Sequence, residues 1–252
     1  MKIVIASDLH ANEEALAVLP RDYDHLWILG DLVNYGPNPA EVVEYVRSHA
    51  SKVVRGNHDH AIGFGEDPRC CGRFRELAGA TGQFTNNQLE PDDREYLRDL
   101  PLQLKLQVHQ TRFWLCHAVP SDPLFGYAPK KSDQWQEECK HVTANILLVG
   151  HTHTPFMENF GDCLVVNPGS LGQPNNRTAL ACYAVWEDGI VSLCQTVYNV
   201  ETTIAKVQAM PIPEDVQADL VTLLRSGRLP EPGTPNTKAV SPAKHPALNQ
   251  ER

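Results

Sequence analysis

The sequence predicts an α/β fold in which two packed sheets are flanked by helices, and three observations lead there. Apolar runs alternate with amphipathic segments through the first half, the second half is rich in strands, and several apolar runs end abruptly in short polar motifs. Lys2 to Ala6, Leu26 to Leu29 and Val53-Val54 read as short buried strands. Glu14 to Leu19 and Pro39 to His49 read as the helices between them. The second opens with proline at a first-turn position, where its missing N–H is no loss. The pattern is a βαβαβ unit with parallel strands.

Between Asp59 and Leu104 the chain turns polar and glycine-bearing, with helices near Arg73 to Leu89 and Asp92 to Leu100. Residues 59–103 read either as a helical cap over a pocket or as a plain helical packing layer. Strands follow at Leu104 to Gln110, Thr111 to His117, Asn145 to Val149, Leu164 to Asn167, Ala179 to Trp186 and Ile190 to Tyr198. A Glu187-Asp188-Gly189 turn joins the last two as an antiparallel hairpin. Two packed sheets accommodate this count better than one open sheet. From Leu229 onward, Pro230, Pro232, Pro235, Pro242 and Pro246 interrupt a polar stretch, so residues 229–252 are expected to be a disordered tail behind a domain at 1–228.

With 252 residues and 42% hydrophobic content, one large domain is the natural expectation. The N-terminal apolar run, Ile3 to Ala6, is too short for a signal-peptide core. No stretch approaches the ~20 apolar residues of a membrane span. Seven cysteines without a C-x-x-C pair read as reduced thiols and point to the cytoplasm. Cys70-Cys71 read as incidental neighbours, and strand alternation points Cys116 away from His117.

Five motifs carry the chemistry: Ser7-Asp8-Leu9-His10, Gly30-Asp31, Gly56-Asn57-His58-Asp59, Cys116-His117-Ala118 and Gly150-His151-Thr152-His153. Each follows an apolar run, and open α/β sheets keep their ligands at such strand ends. In Asp8-x-His10 and His151-x-His153, extended backbone would throw both side chains to one side, so that each pair grips one ion. One His-x-His pair would mean little, since 11 histidines in 252 residues give roughly 0.5 by chance. All five motifs in order are another matter. Carboxylate, imidazole and amide form a mixed oxygen and nitrogen donor set suited to manganese, iron or zinc. Seven such groups are too many for one tetrahedral ion, whereas two ions sharing a carboxylate use them all. Asp31, the lone carboxylate of its motif, is the natural bridge. Gly30, Gly56 and Gly150 precede ligand residues, where a missing Cβ lets the chain turn sharply.

On these motifs the chain resembles the calcineurin-like metallophosphoesterase superfamily, in its small bacterial and archaeal phosphodiesterase branch, over roughly residues 1–228. Asn34-Tyr35-Gly36-Pro37, Asn167-Pro168-Gly169-Ser170, Gly172-Gln173-Pro174 and Val197-Tyr198-Asn199 before a C-terminal helix resemble segments of that branch. The resemblance implies the four-layer αββα sandwich of two mixed sheets. It implies that Asp8, His10 and His153 hold one ion, Asn57, His117 and His151 the other, and that Asp31 bridges them. The ions would be two divalent metals, manganese first, with iron, zinc or nickel as alternatives. A hydroxide between them would be the nucleophile, since metal binding lowers the pKa of water from 15.7 to roughly 7. His58 would protonate the leaving oxygen, with Asp59 orienting its ring. Two departures stand out: Ala118 replaces a glycine common in relatives, and only Arg177 lies near a loop that carries arginines in relatives.

Two dications set against Asp8, Asp31 and a hydroxide leave such a pocket positive by about one unit. A small phosphoester fits that field. The net charge of −9, without a basic stripe, disfavours a nucleic-acid partner, so neither a nucleic-acid nor a membrane partner is expected. His25, His49, His109, His141 and His245 read as surface or capping residues, while His60 follows the third motif and either faces substrate or does the same. Tyr35 either contacts substrate or packs on the Gly36-Pro37 turn. Three function classes follow: a phosphodiesterase; a phosphomonoesterase, protein phosphatase or dinucleoside polyphosphate hydrolase; and a scaffold, since the family includes retromer-subunit relatives. The histidine matching His58 is missing in those relatives and present here, which counts against the scaffold.

Overall fold

The computed structural model describes residues 1–229, so all but the first residue of the expected tail lies outside the described residues. Three parallel strands, β1 (Lys2–Ala6), β2 (His25–Ile28) and β3 (Lys52–Val53), open the chain, with α1 (Glu13–Leu16) and α2 (Pro39–His49) between them. Three helices follow: α3 (Asn57–Phe64), α4 (Arg73–Gln88) and α5 (Pro91–Asp99). The second sheet is built from β4 (Gln103–Val108), β5 (Thr111–Cys116), β6 (Ile146–Leu148), β7 (Phe156–Phe160) and β8 (Cys163–Asn167), with α6 (Gln134–Cys139) before β6. β9 (Ala181–Glu187) and β10 (Ile190–Thr196) return to the first sheet, and α7 (Val200–Gln208) and α8 (Glu214–Ser226) close the chain.

The strand orders are β10-β9-β1-β2-β3 and β4-β5-β6-β8-β7. Both sheets are mixed: β9 runs antiparallel to β1, while β5, β6 and β8 run parallel. Period-two alternation divides β1 between two cores. Ile3 and Ile5 face the second sheet with Trp27, Phe113, Leu148 and Trp186, whereas Val4 and Ala6 face α1 and α2 with Val42, Val43 and Val46. The outer face of the second sheet carries Trp114, Leu147 and Val165 against Trp135 of α6. The result is helix, sheet, sheet, helix. A one-residue slip in β1 would exchange its two faces, so register is strongly specified.

The last hairpin turns on two residues, Asp188 at φ +47° and Gly189 at +95°, the left-handed pair that matches the twist of its strands. β7 was not expected: its alternation is Phe156 inward, then Met157, Glu158 and Asn159, too polar to read as a strand. The expected Glu14 to Leu19 helix shrinks to four residues, and Asn12 caps it by accepting from Ala15 N–H at 3.0 Å. α4 and α8 share a fourth cluster with Tyr35, Leu77, Ile204, Val207 and Leu220, against which Leu229 also packs. α5 buries Leu97 in the core beneath the first sheet.

Candidate metal centre

The seven ligand residues anticipated from the motifs come together at the carboxyl ends of β1, β2, β5 and β6, beside the first turn of α3. The route differs from the extended pairs expected. Asp8, His10, Asp31, His151 and His153 lie beyond their strands with φ between +45° and +64°. Left-handed backbone is uncommon for side-chain-bearing residues and costs of order 1–3 kcal/mol at each when held there. The first motif is locked by neighbouring backbone, where Asp8 N–H donates to Gly30 O at 3.0 Å and His10 N–H to Asp31 O at 2.9 Å, while the N–H groups of Asp31 and His151 donate to the carboxylates of Asp59 and Asp8. Consequently His151 and His153 fall in different ligand groups. His153 joins Asp8, His10 and Asp31, while His151 joins Asp31 and His117. Glycine is obligatory where loops meet: a Cβ on Gly56 would lie 2.0 Å from Asp31 Oδ1, and one on Gly150 1.9 Å from Ser7 Oγ.

Three imidazoles are locked from behind. His10 Nδ1, His117 Nδ1 and His153 Nδ1 lie 3.0, 2.7 and 2.8 Å from the carbonyls of Val33, Leu29 and Gln173. A carbonyl only accepts, so each ring donates Nδ1–H and aims a lone pair on Nε2 into the site. The inward atoms then crowd. His10 Nε2 and His153 Nε2 are 3.1 Å apart, and His117 Nε2, His151 Nδ1 and Asn57 Oδ1 lie within 3.1–3.2 Å of one another. Asp31 Oδ2 stands between the two groups, 3.2 Å from His117 Nε2 and 3.8 Å from His10 Nε2. Asp8 Oδ1 is 3.3 Å from His153 Nε2, and its buried Oδ2 has no protein partner. Facing lone pairs around two fully buried carboxylates repel unless a cation sits among them. The donor set therefore fits divalent metal ions.

Without cations the site would hold protons awkwardly. Burial opposes protonation of His117, yet the Asp31 carboxylate beside it outweighs that and lifts it to about 9. Burial pushes His10 and His151 down to about 3. The imidazolium character so concentrated holds Asp31 well below the usual carboxylate range despite its burial.

His58 lies one residue from Asn57 and contributes no atom to either group. Its backbone N–H donates to Asp31 Oδ1 at 2.9 Å, and burial lowers its pKa. The expected support from Asp59 is not what the structure shows. Asp59 accepts instead from the N–H groups of Asp31, Leu32 and Gly56 at 2.8–3.0 Å, stitching the second and third motifs together. The ring of His58 is held by Asn34, whose Nδ2 donates to Nδ1 at 2.8 Å and leaves the proton on Nε2. Sequence reading missed this role of Asn34, although it lies three residues after Asp31. The site also includes Cys70, whose Sγ is 3.5 Å from His58 Nε2 and 3.5 Å from Tyr35 Oη.

Tyr35 packs rather than opens to the pocket: it is buried, its ring 4.8 Å from both His10 and His58. His60 pairs with Glu66 at 3.3 Å and packs on Phe64. His25, His49, His109 and His141 contribute to neither ligand group, and His245 lies outside the described residues. Arg177 donates its backbone N–H to Gly227 O beside the end of α8.

The family model of the calcineurin-like phosphoesterase superfamily domain matches residues 1–188. Phosphodiesterase YfcE of Escherichia coli is 26% identical over 230 residues, which cover 84% of this chain and 100% of that protein. The symmetrical bis(5'-nucleosyl)-tetraphosphatase of Aliivibrio fischeri is 30% identical over 132 residues, 51% of this chain and 44% of that protein. The crystal structure of a metallophosphoesterase from Sphaerobacter thermophilus superimposes with a TM-score of 0.77 at 28% identity, covering 90% of this chain and 100% of that one. Among the described residues no helix is long and apolar enough to cross a membrane. With the two mixed sheets and the buried ligand groups at their carboxyl ends, the match identifies this chain as a metal-dependent phosphoesterase belonging to the calcineurin-like phosphoesterase superfamily.

Proposed function

We propose that this enzyme is a phosphodiesterase acting on small phosphodiesters. Asp8, His10 and His153 would hold one divalent ion and Asn57, His117 and His151 a second, with Asp31 shared between them. Manganese suits the mixed oxygen and nitrogen donors, as do iron, zinc or nickel. Bound divalent ions supply Lewis acidity toward phosphoryl oxygens and lower the pKa of water. The protein does the remaining work. The carbonyls of Val33, Leu29 and Gln173 hold the ligand rings in one tautomer, so the inward nitrogens need no reorganisation. Asn34 keeps the His58 proton on Nε2, from where it donates to the leaving oxygen as negative charge develops there. Asp59 acts as a positioning residue through the backbone of Asp31 and Gly56.

The observation that carries this reading is the convergence of the His10, His117, His151 and His153 rings on the buried Asp31 carboxylate, with His58 held beside them. The full-length likeness to a phosphodiesterase supports diester over monoester cleavage. A dinucleoside polyphosphate hydrolase is the second reading, supported by the partial likeness to a bis-nucleosyl tetraphosphatase. The free cysteines suit a reducing compartment, and we place the enzyme in the cytoplasm. The test is turnover of bis-p-nitrophenyl phosphate beside p-nitrophenyl phosphate, on chelator-stripped protein with manganese restored. Manganese-dependent preference for the diester is expected. Preference for the monoester would make the enzyme a phosphomonoesterase.

A further inference from the structure

Two segments reach the mouth of the site from opposite sides. Residues 65–72, between α3 and α4, are tied down where Asn57 Nδ2 donates to Pro68 O at 2.8 Å and where Cys70 meets His58. Residues 117–133, leaving β5, carry Tyr127 to the other side, its ring centroid 6.0 Å from that of His151 at 75°. The segments touch through Arg69 and Phe125, the guanidinium lying 4.0 Å from the ring centroid. So the ligand groups are flanked by Cys70 on the His58 side and Tyr127 on the His151 side, and Arg69, next to Cys70 in sequence, joins the two segments through Phe125.

Tyr127 and Arg69 are poorly used by the fold itself. Tyr127 is 62% exposed, unusual for a large aromatic ring, and its hydroxyl has no hydrogen-bond partner among the described residues. Arg69 is exposed and forms no ion pair among the described residues, although Asp and Glu outnumber Lys and Arg by 31 to 22. A guanidinium steadied by an aromatic ring rather than by a carboxylate keeps its charge for an incoming anion. A rigid aromatic ring beside it offers a π-face to any planar group carried by that anion, and every nucleobase has one.

We infer that Tyr127 and Arg69 form a recognition clamp for nucleoside phosphodiesters, Tyr127 stacking the base and Arg69 pairing with phosphate oxygens. The inference rests on the phosphodiesterase reading, which places the scissile phosphorus over the two ligand groups. It makes a small nucleoside phosphodiester the substrate class and does not require a nucleic-acid strand, which the charge of the chain disfavours.

The test uses the manganese-loaded full chain and two esters with the same leaving group, the p-nitrophenyl ester of thymidine monophosphate and methyl p-nitrophenyl phosphate. The wild type should prefer the thymidine ester in kcat/KM by roughly tenfold, the discrimination that one stacked base provides. Tyr127→Leu should erase that ratio and Tyr127→Phe should retain it, while Arg69→Gln should raise KM for both esters. Equilibrium dialysis supplies a second readout: thymidine monophosphate should bind more tightly than ribose phosphate, and Tyr127→Leu should remove the difference. Turnover of both esters with equal kcat/KM and base-independent binding would overturn the clamp and leave the phosphodiesterase reading standing. Turnover of neither ester, with Tyr127-dependent binding of thymidine monophosphate, would overturn the phosphodiesterase reading and leave the clamp as a nucleotide site.

Discussion

At His58 a single hydrogen bond decides which nitrogen carries the proton. Because Asn34 donates to Nδ1, the acidic hydrogen sits on Nε2, which lies 3.5 Å from the Cys70 thiol. His58→Ala should therefore keep both metal ions, by elemental analysis, yet lose roughly 10²- to 10⁴-fold in rate with a poor alkoxide leaving group. With p-nitrophenolate, which departs without a proton, the loss should be far smaller. Equal losses for the two leaving groups would remove the proton-donor role. Gly56 tests the site differently. An added methyl would meet Asp31 Oδ1 at 2.0 Å, so Gly56→Ala should weaken metal binding as much as loss of a ligand does, without altering any ligand. Unchanged metal content would show that the loop yields. The seven residues that converge here stood out in sequence because metal chemistry needs those residue types, whatever the backbone does. Their left-handed backbone was not legible, since it is imposed by contacts such as those of Gly30 O with Asp8 and Asp31 O with His10. Asn34 was overlooked for a related reason: an asparagine in a turn has an ordinary explanation until its partner is seen.

Among the elements, strands that combine length with β-branched or aromatic residues were read closely, β4, β5, β9 and β10 within a few residues. Their registers follow from faces buried on one side. Elements with weak periodicity escaped. α3 begins inside the third motif, its residues chosen by the site rather than by an apolar stripe, and β7 is an edge strand with alternate positions exposed. α6 is a short helix that packs Trp135, with Cys139 at its edge, into the core beneath the second sheet. α8 lies beyond the region matched by the family model, yet it shares a core with Tyr35, which packs on two site histidines. Leu220→Ala should cost about 2–5 kcal/mol, the range for truncating a fully buried leucine. The loss should fall within one cooperative unfolding transition followed by tryptophan fluorescence and by circular dichroism. A separate early transition confined to the C-terminal helices would show that they are not part of the same unit.

For the whole molecule, alkaline pH and metal both act on stability through buried groups. Burial raises the hydroxyls of Tyr96 and Tyr198 to about 12, against 10.0 in the unfolded chain. A raised folded pKa means that their contribution is complete below pH 10.0 and is lost as pH climbs through about 12. Urea midpoints should fall across that window, and less steeply in Tyr198→Phe; an identical slope in the variant would exclude Tyr198 as a cause. Ions that bind only the folded chain should raise the melting temperature with concentration, because buried carboxylates and facing imidazoles are then paired. The two-sheet architecture was legible from the strand count together with the family resemblance, whereas the placement of residues 65–72 and 117–133 beside the ligand groups was not, since loops have no period to read. The central claim is that Asp31 joins two ion positions into one site. Manganese content per chain, after chelator treatment and reloading, tests it most directly in the wild type and in Asp31→Asn. Two ions per chain in the wild type and loss of both in the variant are predicted; one ion in the wild type, or loss of only one in Asp31→Asn, would contradict it.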